Sequence, residues 1–235
     1  MPRKHLIASA TNKKQQMQAK IWLKLAREIK AAVKVGGKNI DANPRLKTAI
    51  EKALQNNLSR ESIQRNINGA DKDSKNLISL TYECYGPKGL QFIITALTDN
   101  INRTTSNLRG YLGKIDGKIS RPNSVKIYFS NYGWFILVKN SQTTEETILE
   151  CLIDAKKLDI KEFEDCFEVI VDEAFYENAK STLLKKGFVI HESEIKLINL
   201  DKVSIIDEKL LAKIEHFIEL CENDDDIQSV FHNLQ

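Results

Sequence analysis

Ten cationic side chains, Arg3, Lys4, Lys13, Lys14, Lys20, Lys24, Arg27, Lys30, Lys34 and Lys38, fall within the first 38 residues, where the only acid is Glu28. Ammonium and guanidinium groups gathered with so little opposing charge suit a phosphate backbone, gripped without reading its sequence. Residues 1–75 hold 17 Lys/Arg against 6 Asp/Glu, leaving 18 against 26 for the rest, although the net charge is only +3. One end of the chain therefore faces a polyanion. Phosphate contacts are expected at Lys13, Lys14, Lys20, Lys24, Arg27 and Lys30, with Arg45 and Arg103 as secondary candidates. The first sixteen residues have poor helical periodicity, which predicts a basic arm that orders on contact.

Other chemistry finds less support. The polar cluster Thr98-Asp99-Asn100-Ile101-Asn102-Arg103-Thr104 sits at a strand-to-helix junction, where free backbone N–H groups hold ligands. The same residues are also those a turn and a helix cap require, and that reading is preferred, with Arg103 as an exposed contact. The acidic run Glu219, Glu222, Asp224, Asp225 and Asp226 lacks the alternating ligands and central Gly of a calcium loop, so a solvated turn is expected. Cys84, Cys151, Cys166 and Cys221 and the four histidines are scattered, with no CxxC and no HExxH, which argues for reduced core thiols and against a metal site. No phosphate-cradling Gly loop and no nucleophile elbow occurs, so neither a cofactor nor a catalytic residue is expected.

The elements that position the basic residues follow from periodicity. Ile21, Trp22, Leu25, Ile29 and Val33 form the apolar stripe of a helix from Met17 to Val35, closed by Gly36-Gly37, with Lys20, Lys24, Arg27, Lys30 and Lys34 off the stripe. Asn43-Pro44 starts a second helix that buries Leu46, Ile50, Ala53 and Leu54, and Ser59 caps a third. After Asn76 the period changes to alternation: Ile78 to Cys84, a turn at Gly86-Pro87-Lys88-Gly89, then Leu90 to Leu97, make a hairpin. A helix from Arg103 to Ile115 and a strand through Val125, Ile127 and Phe129 follow. Residues 132–200 then give strand, helix, two strands, helix and strand, the ferredoxin-like order. Their expected spans are Trp134 to Val138, Thr144 to Lys156, Ile160 to Phe163, Phe167 to Val171, Glu173 to Lys186 and Phe188 to Ile198. A last helix, Asp207 to Cys221, and strand, Ile227 to Phe231, complete the sheet begun at Ile78. The expected fold is α+β and multidomain: an amino-terminal three-helix bundle (1–75) and two ferredoxin-like α/β domains (76–131 with 201–235, and 132–200), the third inserted into the second. With 42% apolar and 29% charged residues, no apolar run of about 18 and no leader-like amino terminus, a cytoplasmic protein free of the membrane is expected.

Several stretches in order resemble the YebC family, also known through its mitochondrial member, the translational activator of cytochrome c oxidase. They are Lys34-Val35-Gly36-Gly37 through Asp41-Ala42-Asn43-Pro44-Arg45-Leu46; Tyr82-Glu83-Cys84-Tyr85-Gly86-Pro87-Lys88-Gly89; Leu97-Thr98-Asp99-Asn100-Ile101-Asn102-Arg103-Thr104; Asn123-Ser124-Val125; and Asp224-Asp225-Asp226-Ile227-Gln228-Ser229-Val230-Phe231-His232-Asn233. The resemblance implies a helical bundle and two α/β domains, no catalytic residues, and a nucleic-acid-facing regulator. Bacterial members are labelled probable transcriptional regulators that bind DNA, and other members are linked to messenger RNA and the ribosome. The family opens with Gly-His-Ser-Lys-Trp, where this chain has Lys4, His5, Leu6 and Ile7, while Lys13, Lys14 and Lys20 fall where the family is basic. The Lys, Asn and Ile usage suits an AT-rich genome.

Three functions stay open at this point: a transcriptional regulator on duplex DNA, a translation factor on ribosomal or messenger RNA, and a small-ligand module built on the ferredoxin-like domain. Salt-sensitive duplex binding, ribosome co-sedimentation and a thermal-shift response separate them.

Overall fold

In the computed structural model, residues 3–70, 77–140 and 143–235 are described, with side chains from Gln18 onward. The elements in chain order are α1 (Arg3–Gly36), α2 (Pro44–Gln55), α3 (Arg60–Gly69), β1 (Ile78–Tyr85), β2 (Gln91–Thr98), α4 (Ile101–Gly113), β3 (Lys118–Ile119), β4 (Ser130–Val138), α5 (Glu145–Cys151), β5 (Asp159–Glu162), β6 (Cys166–Asp172), α6 (Tyr176–Lys185), β7 (Ile190–Ile198), α7 (Glu208–Asn223) and β8 (Ile227–His232). They gather into two compact units, Met1–Ser120 with Ile205–Val230, and Arg121–Ser204 with Phe231–Gln235. The fold is α+β, with two four-stranded sheets.

In the first unit, α1 ends where Gly37 takes φ +80° and donates its N–H to the Val33 carbonyl at 2.8 Å, a conformation that suits Gly. Asn43 ties the next turn together. Its carboxamide oxygen accepts from the Leu46 N–H at 3.0 Å as the cap of α2, and its nitrogen donates to the Ala32 and Gly37 carbonyls at 2.8 and 2.9 Å. Ile29, Ala32, Val33, Leu46, Ala49, Ala53, Leu58, Ile63 and Ile67 close the bundle core. One expected core residue lies elsewhere: Leu54 is 40% exposed, while Ile50 is half-buried against the core that Ala49 and Ala53 help to fill. Ile21 and Trp22 are also partly exposed, the Trp22 indole donating to the Asn56 carbonyl at 2.8 Å.

The sheet of this unit has the order β3-β1-β2-β8. β1 and β2 pair antiparallel from Ile78 opposite Thr98 to Tyr85 opposite Gln91, around a turn in which Lys88 and Gly89 take φ of 58° and +84°. Phe92 on β2 meets Phe217 on α7 edge to face, ring centroids 5.1 Å apart. The strand expected through Val125 and Phe129 is instead a 3₁₀ turn, Lys126–Tyr128. Val125 and Phe129 are buried on either side of that turn while Ile127 is 70% exposed, so their alternation reflects a turn with two buried ends. The paired strand is β3, two residues long, against Cys84 and Tyr85.

The second unit has the order β5-β6-β4-β7, which is the ferredoxin-like arrangement of its four strands. α5 and α6 cover a core of Phe135, Leu137, Ile148, Leu152, Phe167, Val169, Val171 and Leu183, with Phe135 stacked on Tyr176 at 5.1 Å. α5 is shorter than the expected Thr144 to Lys156: it stops at Cys151, and Lys157 takes φ 55° in the turn that follows.

Candidate nucleic-acid interface

Lys20, Lys24 and Arg27 lie four and three residues apart on α1, a spacing that puts them on one stripe over about 10 Å of helix. That stripe meets the end of α7 and the turn before β8. Lys20 Nζ donates to Asn223 Oδ1 at 2.8 Å, Lys24 Nζ to the Glu222 carbonyl at 2.7 Å, and the Arg27 guanidinium to the Asp225 carbonyl and to Asp226 Oδ1 at 3.3 Å. Cations beside the last carbonyls of a helix complement its negative end. Burial pulls the Lys24 ammonium below its usual value, against the opposing pull of Glu222, Asp224 and Asp225.

The acidic run is thus more than the solvated turn expected for it. Asp226 is 3% exposed, and the Thr98 and Thr104 hydroxyls lie 3.1 and 2.9 Å from its Oδ2. Arg103 donates to the same oxygen at 2.6 Å and to Asp99 Oδ1 at 2.7 Å. Burial alone would raise the Asp226 carboxyl, but the bonds from Arg103, Thr104 and Thr98 outweigh it and hold the group below the usual carboxylate range. Its bonds to Asp226 and then Asp99 raise the Arg103 guanidinium further above its ordinary value. Asp224 Oδ2 accepts from the Tyr111 hydroxyl at 3.0 Å and Asn107 at 3.3 Å, and Oδ1 accepts from the Asp226 N–H at 2.9 Å. Burial, then the bond to Asp224, pushes the Tyr111 hydroxyl up to about 12.

The cap expected at the Thr98 to Thr104 junction exists as well, since Asn100 Oδ1 accepts from the Arg103 N–H at 3.0 Å. That junction is at once a cap and the floor of the Asp226 site. Arg45, the other secondary candidate, pairs through Nε with Glu28 at 2.8 Å, half-exposed. Lys30 is half-buried on α1, and the side chains of Lys13 and Lys14 lie outside the described residues. The arm expected before Met17 is instead helical backbone, since α1 begins at Arg3: the helix continues through polar residues that show no apolar stripe. A groove of about 960 Å³ runs beside the stripe, walled by Lys20, Lys24, Arg45 and Lys52, with Leu25, Ala49 and Leu97 among its apolar lining. Sequence reasoning singled out the cations and missed the internal acceptors. The one signal for them was the opposite charge of residues 1–75 and the remainder.

Among the described residues no cluster of three or more His, Cys, Asp and Glu is placed to hold a metal ion, and no helix is long and apolar enough to cross a membrane. A family model described as the TACO1/YebC protein N-terminal domain matches residues 2–73, and one described as the TACO1/YebC second and third domain matches residues 77–234. A probable transcriptional regulatory protein of Ureaplasma urealyticum serovar 10 is 52% identical over 235 residues, covering 100% of this chain and 99% of its own length. One of Mycoplasma pneumoniae is 49% identical over 235 residues, covering 99% of each. The crystal structure of a conserved hypothetical protein from Aquifex aeolicus superimposes with a TM-score of 0.73 at 31% identity, over 92% of this chain and 90% of that one. With both family models covering nearly every residue and such relatives matching end to end, the chain belongs to the TACO1/YebC family.

Proposed function

We propose that this protein is a non-catalytic transcriptional regulator that binds duplex DNA through the cationic stripe of α1. The observation that carries the reading is the alignment of Lys20, Lys24 and Arg27 on one face of a helix in a segment with 17 cations against 6 acids. Three charges over about 10 Å match roughly three phosphates of one strand, spaced about 3.4 Å along the axis. We count Lys13, Lys14 and Lys30, from their place in the basic segment, as further phosphate contacts, with Arg45 and Arg103 as secondary ones. The relatives' name, probable transcriptional regulatory protein, supports the regulatory role. We further propose the domain plan 1–75, 76–131 with 201–235, and 132–200, the first carrying the DNA contacts.

The test is the salt dependence of duplex binding. Six phosphate contacts give a slope of log affinity on log salt near −5, and a loss of about 10³-fold between about 50 and 200 mM. Replacing Lys20, Lys24 and Arg27 together by Gln should shallow that slope by about 2.7. An unchanged slope in the triple variant, or no duplex binding at low salt, refutes the assignment.

A further inference from the structure

We propose that the turn between α7 and β8 is an internal competitor for phosphate, holding the α1 stripe closed until a nucleic acid displaces it. This rests on the reading that the stripe binds DNA, and it adds a regulatory contact to that site.

The three stripe residues are already engaged, and the nature of their acceptors is what matters. Lys20 holds an amide oxygen, that of Asn223; Lys24 holds a main-chain oxygen, that of Glu222; Arg27 holds the main-chain oxygen of Asp225 and alone reaches a carboxylate, Asp226. Neutral oxygens at the negative end of a helix imitate an anion weakly, with about half a unit of charge. A phosphate oxygen carries full negative charge and adds a Coulombic attraction to the same donor that a neutral oxygen lacks. Exchange of partner is therefore favourable for Lys20 and Lys24.

Release of the stripe also leaves little behind. Asn223, Glu222 and Asp225 are exposed, so water replaces the lost donors. Asp226, the buried member, keeps Arg103, Thr98 and Thr104 when Arg27 departs. No carboxylate is stranded without a donor, which is the condition under which breaking a buried pair is costly. Asp226 thus anchors the turn from the α4 side while its outer residues let α1 go. The exposed carboxylates of Glu222 and Asp225, with Asp224, raise the negative potential at the stripe and so set how firmly it is held.

The test uses the full chain and two readouts. Duplex affinity is measured by fluorescence anisotropy at low salt for the wild type, for Glu222→Gln with Asp225→Asn, and for Asn223→Ala. Amide hydrogen exchange across residues 222–227 is followed with and without duplex. Weakening the competitor should tighten binding about five- to tenfold in the double variant and less in Asn223→Ala. Duplex should speed exchange in the turn of the wild type. Wild-type binding with unchanged affinity in both variants, and a turn whose exchange is the same or slower with duplex, overturns the competitor and leaves DNA binding standing. Absence of wild-type binding at low salt overturns both. Should the double variant misfold by circular dichroism, Asn223→Ala and wild-type exchange decide alone.

Discussion

Replacing Asp226 by Ala tests whether the acidic turn is a structural anchor. The side chain is buried, and its Oδ2 lies 3.1 and 2.9 Å from two fully buried hydroxyls, Thr98 and Thr104. A hydrogen bond to a charged acceptor contributes about 1.5–3 kcal/mol, but each hydroxyl keeps a fallback in the Asn100 carbonyl at 3.2 and 3.1 Å, so roughly 1 kcal/mol apiece is lost. With the small cavity left by the carboxyl, the expected cost is about 2–3 kcal/mol. Trp22 and Trp134 fall one in each compact unit, so a Trp134→Phe background lets urea unfolding of the first unit be followed by Trp22 fluorescence alone. The pH dependence has a definite sign. A carboxyl held below its unfolded value of about 3.9 binds protons more weakly in the folded state. Its stabilisation is complete above that value and lost as pH falls through the lower folded one, so the gap between wild type and Asp226→Ala is constant near neutrality and closes below about pH 4. A cost under about 0.5 kcal/mol at neutral pH, or a gap that does not narrow in acid, would refute the anchor.

Asn43→Ala removes the cap of α2 and two donors to main-chain oxygens, for an expected loss of about 2–3 kcal/mol in thermal melts of the bundle. In the second unit, a Cβ on Gly133 would stand 2.9 Å from Tyr176 Cδ2 and Val171 Cγ2, so Gly133→Ala should cost about 1–3 kcal/mol by overpacking, read from urea unfolding followed by Trp134 fluorescence. His232 is held below its usual value by burial and by Lys202 and Lys196, so the folded state resists its protonation. Stability from this group is full above about pH 6.5 and declines below it, and His232→Gln should flatten that decline in a melting series across pH.

Local signals made the helices and most strands legible. Asn43-Pro44 and Ser59 are caps in the structure, the Gly36-Gly37 pair ends α1, and the alternation from Ile78 reads out β1. Signals of the same kind misled at Val125 to Phe129, where two buried residues flanking a turn imitate a strand, and at α5, where apolar Leu152 continues the helical pattern past the point where the backbone turns. Leu54 was misplaced because a stripe drawn by hydrophobicity favours large residues, whereas α1 packs on Ala49 and Ala53.

The candidate site was legible by half. The cations of α1 stand out in composition, but composition reports a charge without reporting where its partner sits, and three of the six main candidates find their first partners in the same chain, about 200 residues away. An internal partner changes what affinity means. If the stripe is closed in a fraction of molecules, the measured dissociation constant exceeds the intrinsic one by the reciprocal of the open fraction, so a tenfold preference for the closed form weakens binding about tenfold, or about 1.4 kcal/mol. Neutralising stripe residues removes phosphate donors and internal donors at once, and each loss offsets part of the other. Asn223→Ala removes an acceptor without changing charge and so alters the closed fraction alone, whereas neutralising Glu222 and Asp225 also lowers the repulsion of phosphate; the charge-neutral change separates the two.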